Sequence, residues 1–256
     1  MNNRTSFFLL FALLALGPLF SSCMPLRPET DPLMDQKALA LANGARSYNQ
    51  DITASRGKGW AKLETPTKTE RYRIAWAAAS PGKARITFLL SGNPVETIIS
   101  TGKDIRFVSH TGKHSPYIRN SENPDMEDYL EVPVKMSEII SILLGHFPLK
   151  AFDDAYFSPS DSSLTTLVTR QKDKDGLQHL NVDGHGKISR IQSMDIYGDF
   201  LYEILLLEYK IHESHDIPVK LRIKDNTNRM LTLDITDFEP NPPIKDSVFE
   251  LTDQVK

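Results

Sequence analysis

The stretch RYRIAWAAASPGKARITFLL, Arg71–Leu90, decides the fold. Tyr72, Ile74, Trp76 and Ala78 recur at every second position. In an extended chain they share one face. Pro81-Gly82 then marks a turn. Beyond it Ala84, Ile86, Phe88 and Leu90 alternate with Lys83, Arg85 and Thr87. Two alternating runs across a short turn make a β-hairpin with one apolar and one polar face.

The same period extends outward in both directions. Upstream, Ala61, Leu63 and Thr65 alternate with Trp60, Lys62 and Glu64. Downstream, Gly92-Asn93-Pro94 interrupts, Val95–Thr101 follows, Gly102-Lys103 turns, and Ile105 and Phe107 begin the next run. These runs predict an antiparallel meander. Before it, Asp31-Pro32 reads as a helix N-cap followed by proline at the first helical position. The stripe Met34, Ala38, Leu41, Ala45, Tyr48 and Ile52 predicts a helix from Pro32 to Ile52, weakened by Gly44. After it, 120–131 is acidic and reads as an irregular connector. Met136, Ile139, Ile140, Leu143 and Leu144 give a second helical stripe, closed by Gly145. Pro148 and Phe152–Phe157 read as a turn and a short further helix.

Six more alternating or apolar runs follow, at 164–171, 177–182, 187–196, 202–212, 219–224 and 229–238. Asp175-Gly176, Asp183-Gly184, Gly198-Asp199 and Asp225-Asn226 lie between them. The total is about eleven strands and two or three helices, with none of the long crossover helices a parallel sheet needs. The expected class is α+β: a strongly curved antiparallel sheet with helices on its concave side.

The N-terminus reads separately. Met1–Ser6 is polar with one charge, Arg4, and FFLLFALLAL follows from Phe7 to Leu16. Gly17-Pro18 breaks any helix, and Ser21-Ser22 precede the single cysteine, Cys23. That is the pattern of a secretory signal, and the apolar run is short for a spanning helix. One cysteine excludes an intrachain disulfide. Three segments are therefore expected: a lipoprotein signal at 1–22, a lipidated cysteine and tether at 23–31, and a folded domain at 32–256. The whole chain has 256 residues and a formal charge of −3. No basic excess exists, so nucleic acid is not an expected partner. His110 and His114, and His212 and His215, are pairs without the three or four converging ligands zinc needs. Asp153-Asp154 point in different directions on a helix. The chain lacks GxSxG, P-loop and dinucleotide fingerprints. The expectation is a non-enzyme with no cofactor and no metal.

Two resemblances add to this. Phe20-Ser21-Ser22-Cys23 resembles a bacterial lipobox, with Phe where Leu is commonest. It implies cleavage before Cys23, a thioether lipid and an acylated amine. Met24, where Asp would retain a protein at the inner membrane, implies an outer-membrane anchor facing the periplasm. Further on, Arg73-Ile-Ala-Trp76, Ser91-Gly-Asn93-Pro94-Val95-Glu-Thr97, Val132-Pro133-Val134 leading into Met136–Leu144, and Asn241-Pro242 to Phe249-Glu-Leu251 stand in a telling order. Over Pro32–Leu251 the chain is similar to the lipoprotein-localisation family (LolA/LolB-like), nearest its outer-membrane receptor, LolB. That resemblance implies an incomplete β-barrel with a helical lid over a cavity for acyl chains. Its implied lining is Tyr72, Ile74, Trp76, Ile86, Phe88, Leu90, Phe107, Met136, Ile139, Ile140 and Leu143, residue types a filled core uses as well. Pro94 and Val95 would form a membrane-facing loop. The implied function is to bind the acyl chains of lipoproteins and assist their delivery to the outer membrane. The implied partners are acylated lipoprotein cargo, a LolA-like periplasmic carrier and the membrane itself, with the chain a monomer. The alternative is a structural or adaptor envelope lipoprotein with the same fold and a filled core.

Overall fold

The computed structural model describes residues 31–250, apart from 162, 164, 172–175 and 184–185. The signal segment, Cys23 and Leu251 lie outside the described residues, as do parts of the turns at 175 and 184. Alternation produces strands as expected. The first group is β1 (Ala54–Glu64), β2 (Thr69–Ala79), β3 (Lys83–Leu90), β4 (Asn93–Thr101), β5 (Ile105–Ser109) and β6 (Tyr117–Arg119). The second is β7 (Asp154–Phe157), β8 (Thr166–Arg170), β9 (Leu177–Val182), β10 (Ile188–Met194), β11 (Phe200–His212), β12 (His215–Asp225) and β13 (Met230–Pro240). Among the described residues three α-helices accompany them: α1 (Pro32–Arg46), α2 (Glu127–Leu130) and α3 (Met136–Leu143).

All thirteen strands belong to one sheet, ordered β6-β5-β4-β3-β2-β1-β13-β12-β11-β10-β9-β8-β7. Nearly every strand lies beside its neighbour in sequence. The exception is the seam where β1 pairs antiparallel with β13. The edges β6 and β7 stay unpaired with each other, so the curved sheet is open rather than a closed barrel. The chain crosses from one edge to the other through α2 and α3.

The strand count departs from the expected eleven at these two edges. β6 has three residues, too few to show alternation. β7 occupies the stretch read as a turn and helix. Ala155, Tyr156 and Phe157 are buried in succession, and α1 packs against the strand. A strand covered on both faces loses the period-two signal. Helix α1 begins as predicted, with Asp31 Oδ1 accepting the Leu33 N–H at 2.9 Å. It ends at Arg46 rather than Ile52, because Asn49 is left-handed at φ 55°. Tyr48 leaves the stripe to stack on Phe147 at 4.3 Å. The acidic connector contains the single turn α2.

The centre of the sheet is built around small residues on β1. Gly57 faces Trp76 on β2 and Phe238 on β13. Those two rings lie 6.4 Å apart. A Cβ on Gly57 would sit 2.3 Å from the Trp76 ring and equally close to the Asp237 carbonyl oxygen. Neither neighbour is the end of a flexible chain. Gly57→Ala is therefore expected to cost about 3 kcal/mol or more, as overpacking against ring and backbone. Chemical denaturation measures this; a loss below about 1 kcal/mol would show that the seam yields.

His146, just beyond α3, is buried, with Nε2 at 3.0 Å from the Ile52 carbonyl oxygen. Burial holds its pKa below the usual 6.5, against the opposing pull of Asp51; burial likewise lowers His179 on β9. A depressed pKa means the unfolded chain takes up the proton first. Stability is then full above pH 6.5 and falls as the pH drops through the folded-state value. Melting temperature should decline across this range, and His146→Gln should flatten part of the decline. An unchanged slope in the variant would remove His146 as a contributor.

Candidate functional site

Helix α3 lies across the concave face of the sheet. Its first turn is fully served with acceptors. The Lys135 N–H donates to Glu138 Oε2 at 2.9 Å, the Met136 N–H to the Pro124 carbonyl at 3.1 Å, and the Ser137 N–H to Asn123 Oδ1 at 2.9 Å. Glu138 is buried, and its other oxygen accepts the Tyr202 hydroxyl at 2.5 Å. Burial raises the pKa of both groups. At the other end Ser55 Oγ donates to the Leu143 carbonyl at 2.6 Å and accepts the Trp76 indole N–H at 3.1 Å. Asn49 Nδ2 donates to the Gly145 carbonyl at 2.8 Å. Buried hydrogen bonds thus fix α3 at both ends.

Helix α2 is held differently. Its single turn is tied by Glu127 to Arg229 at 2.5 Å and by Asp128 to Arg119 at 3.2 Å, both at partly exposed sites. Tyr129 stacks on Phe107 at 4.0 Å. Exposed ion pairs contribute about 0–1 kcal/mol each. An aromatic stack adds about 0.5–1.5 kcal/mol beyond its burial. Of the two helices, α2 is the more weakly tied.

Beneath both helices lies an apolar void of about 30 Å³. Strands supply Ile74, Ile86, Phe88 and Ile98 on one side and Ala61, Leu231 and Leu233 on the other. Met126, Leu130, Met136, Ile139 and Leu143 close it from above. Adjoining it is a hollow of about 440 Å³ at the β3–β4 end of the sheet. Tyr72, Leu90, Val95 and Tyr129 line that hollow, along with the polar side chains of Lys68, Glu70, Glu96 and His114. Phe88 and Ile98 line both spaces. Leu130 faces the void and its neighbour Tyr129 the hollow, so α2 forms the partition between them.

The expected lining residues divide accordingly. Ile74, Ile86, Phe88, Met136, Ile139 and Leu143 meet at the void; Tyr72, Phe88 and Leu90 meet at the adjoining hollow. Trp76 lines neither, because its indole fills the space over Gly57 and bonds to Ser55. Phe107 supports α2 through Tyr129 instead, and Ile140 packs in the core away from the void. Pro94 is exposed, but Val95 turns inward, half-buried against the core. The β3–β4 tip is Ser91-Gly92, left-handed at φ 50° and 86°, which is the two-residue hairpin geometry. The exposed apolar side chain of this hairpin is Leu90. The second half of the sheet contributes Leu231 and Leu233, and the connector Met126 and Leu130, none of them singled out from sequence. Their alternation on β13 was visible; their convergence with β2 and β3 depends on the seam.

On the far side of α3 is a polar hollow, also of about 440 Å³, bordered by Lys135, Lys150, Arg170, Glu138 and Gln178. Arg170 pairs with Asp154 at 2.9 Å and Gln178 Oε1 accepts the Lys150 N–H at 2.8 Å. His114 lies 3.0 Å from Glu96 and His215 2.7 Å from Asp51, as separate pairs. Among the described residues no three His, Cys, Asp or Glu side chains converge as a metal site. No helix among the described residues is long and apolar enough to cross a membrane.

No family model matches the chain, and no curated protein matches it. Solved structures do. An outer membrane lipoprotein-sorting protein domain from Vibrio parahaemolyticus is similar at a TM-score of 0.62 and 12% identity, covering 84% of this chain and 96% of that one. A DUF1329 family protein from Desulfovibrio piger is similar at 0.60 and 10% identity, covering 86% and 98%. A LolA superfamily protein from Nitrosomonas europaea is similar at 0.55 and 10% identity, covering 84% and 97%. At these identities the likeness is one of fold: this chain has the open, curved antiparallel sheet of LolA-superfamily structures.

Proposed function

We propose that this chain is a lipoprotein anchored through Cys23 at the periplasmic face of the outer membrane. In this reading it binds acyl chains of other lipoproteins in the void beneath α2 and α3 and assists their delivery, taking cargo from a LolA-like carrier. It is not an enzyme. The observation that carries this is a wholly apolar void that shares Phe88 and Ile98 with an adjoining apolar-and-polar hollow, the two separated by α2. An acyl chain offers nothing to hydrogen-bond, so such walls recognise it by buried area alone. The fold likeness to lipoprotein-sorting domains supports the same reading.

The size of the void sets a condition. At about 30 Å³ it has room for about one water, whereas ligand pockets run from about 300 Å³. Uptake therefore requires the lid to shift. In this reading α2 is the part that moves, joining the void to the adjoining hollow, while α3 stays in place. A second reading rests on the same small volume: the core is simply filled, and the chain is a structural or adaptor lipoprotein of the envelope.

Binding of a fluorescent acylated peptide separates the two readings. The carrier reading expects saturable uptake and an about tenfold loss or more with Ile139→Trp, which fills the void. Glu127→Gln, which removes the ion pair at α2, should speed uptake about twofold to threefold. Absence of uptake by the parent chain would leave the structural reading. The anchor is tested independently by mass spectrometry of the mature N-terminus. A chain beginning at a lipid-modified Cys23 is expected; an unmodified cysteine removes the anchor.

A further inference from the structure

The outward face of the same sheet carries an ordered charge pattern that the hollow does not use. Cross-strand register puts Arg71, Lys62, Thr232, Arg222, Leu205 and Arg190 in one row over β2, β1, β13, β12, β11 and β10. The row beside it is Arg73, Trp60, Asp234, Lys220 and Glu208. The row on its other flank is Glu64, Met230, Lys224 and Glu203. All share one face, since their chain neighbours Ala61, Leu63, Leu221, Ile223, Leu231 and Leu233 are buried. Seven cations meet four carboxylates here, on a chain whose total charge is −3. Glu64 and Glu203 are already paired, with Lys62 at 2.7 Å and Arg190 at 2.6 Å. Trp60 sits among the cations, half-buried, with the Arg71 guanidinium 4.1 Å and that of Arg73 5.7 Å from its ring centre.

We propose that this outward face docks on an anionic phospholipid surface. Charge complementarity is the first argument, since each cation near such a surface is attracted to it. The breadth of the pattern is the second. Side chains about 4.8 Å apart from strand to strand within a row, over several strands, fit laterally mobile headgroups, which gather beneath fixed cations. Trp60 is the third: an aromatic ring with a polar edge, set among cations, belongs at the headgroup level. The inference goes beyond the acyl-binding reading and does not need it. A chain whose void takes up nothing still docks by this face, and the two measurements share no readout.

Trp60 is its own probe, because the chain has two tryptophans and Trp76 is buried. The full chain is placed on phosphatidylglycerol vesicles and on phosphatidylcholine vesicles, held on both by its apolar N-terminal segment. Acrylamide quenching is then measured, with Trp60→Phe supplying the Trp76 background. Quenching of Trp60 should be about twofold weaker on the anionic vesicles, and salt should abolish the difference. Lys220→Glu with Lys224→Glu, neither touching Trp60, should abolish it too. Lys37→Glu with Lys103→Glu, exposed elsewhere, should leave it intact. Circular dichroism confirms that each variant is folded. Equal quenching on both vesicles overturns the proposal, as does an equal effect of the two double variants. Equal shielding by soluble polyglutamate without vesicles also overturns it, in favour of an acidic protein partner.

Discussion

The pairing of β1 with β13 is the constraint on which the rest depends. Its register runs from Ser55 opposite Pro240 to Glu64 opposite Met230, with one irregularity at Lys58/Gly59. Every other strand pair joins elements adjacent in sequence and could form within a local meander. The seam alone turns two meanders into one curved sheet with a continuous concave face. It brings Leu231 and Leu233 to Ile74 and Ile86, which form opposite walls of the same void. It also demands glycine at two β1 positions. A Cβ at Gly59 would lie 2.5 Å from the Asp234 carbonyl oxygen, as one at Gly57 would strike Trp76. Because the contacts across it span most of the chain, it is also the costliest pairing to close in loop entropy.

With the sheet fixed, the cover above it divides into a rigid and a loose part. α3 is bound by buried donors and acceptors whose loss would leave polar groups unsatisfied, at about 1–3 kcal/mol each. Leu143, Ser55 and Trp76 form one such relay, and Glu138 with Tyr202 another. α2 has surface ion pairs and one aromatic stack. This difference in tethering, rather than any difference in apolar content, is why the proposed function assigns the movement to α2. Trp76 gains a meaning that its residue type alone conceals: it is a support for the lid helix, not a wall of the void.

Much of this was legible from residue spacing. The five-strand meander, the α1 start at Asp31-Pro32 and the helix over Met136–Leu143 all have clean periods, and the structure places them where expected. β6 and β7 were not legible, one too short to alternate and the other buried on both faces. The site was half legible. Ile74, Ile86, Phe88, Met136, Ile139 and Leu143 belong to strongly periodic elements and do converge. Trp76 and Phe107 share their period and face, yet pack away from the void. Period reports which face a side chain is on; whether it meets space or another side chain depends on partners distant in sequence. Leu130 and Met126, in a connector without any period, had no signal at all.

The two faces of β1 show how one period carries two roles. Gly57, Gly59, Ala61 and Leu63 point inward, small where Trp76 and Phe238 crowd and larger toward the void. Lys58, Trp60, Lys62 and Glu64 point outward, the last three into the charged rows. A slip of one residue in the seam would exchange the sets, burying lysines and glutamate and exposing the leucine. The steric demand at Gly57 and the charge pattern around Trp60 are therefore not independent. The inward fit of two glycines against ring and backbone holds the register that keeps the cations aligned outside, and it does so on the strand where the sheet is joined.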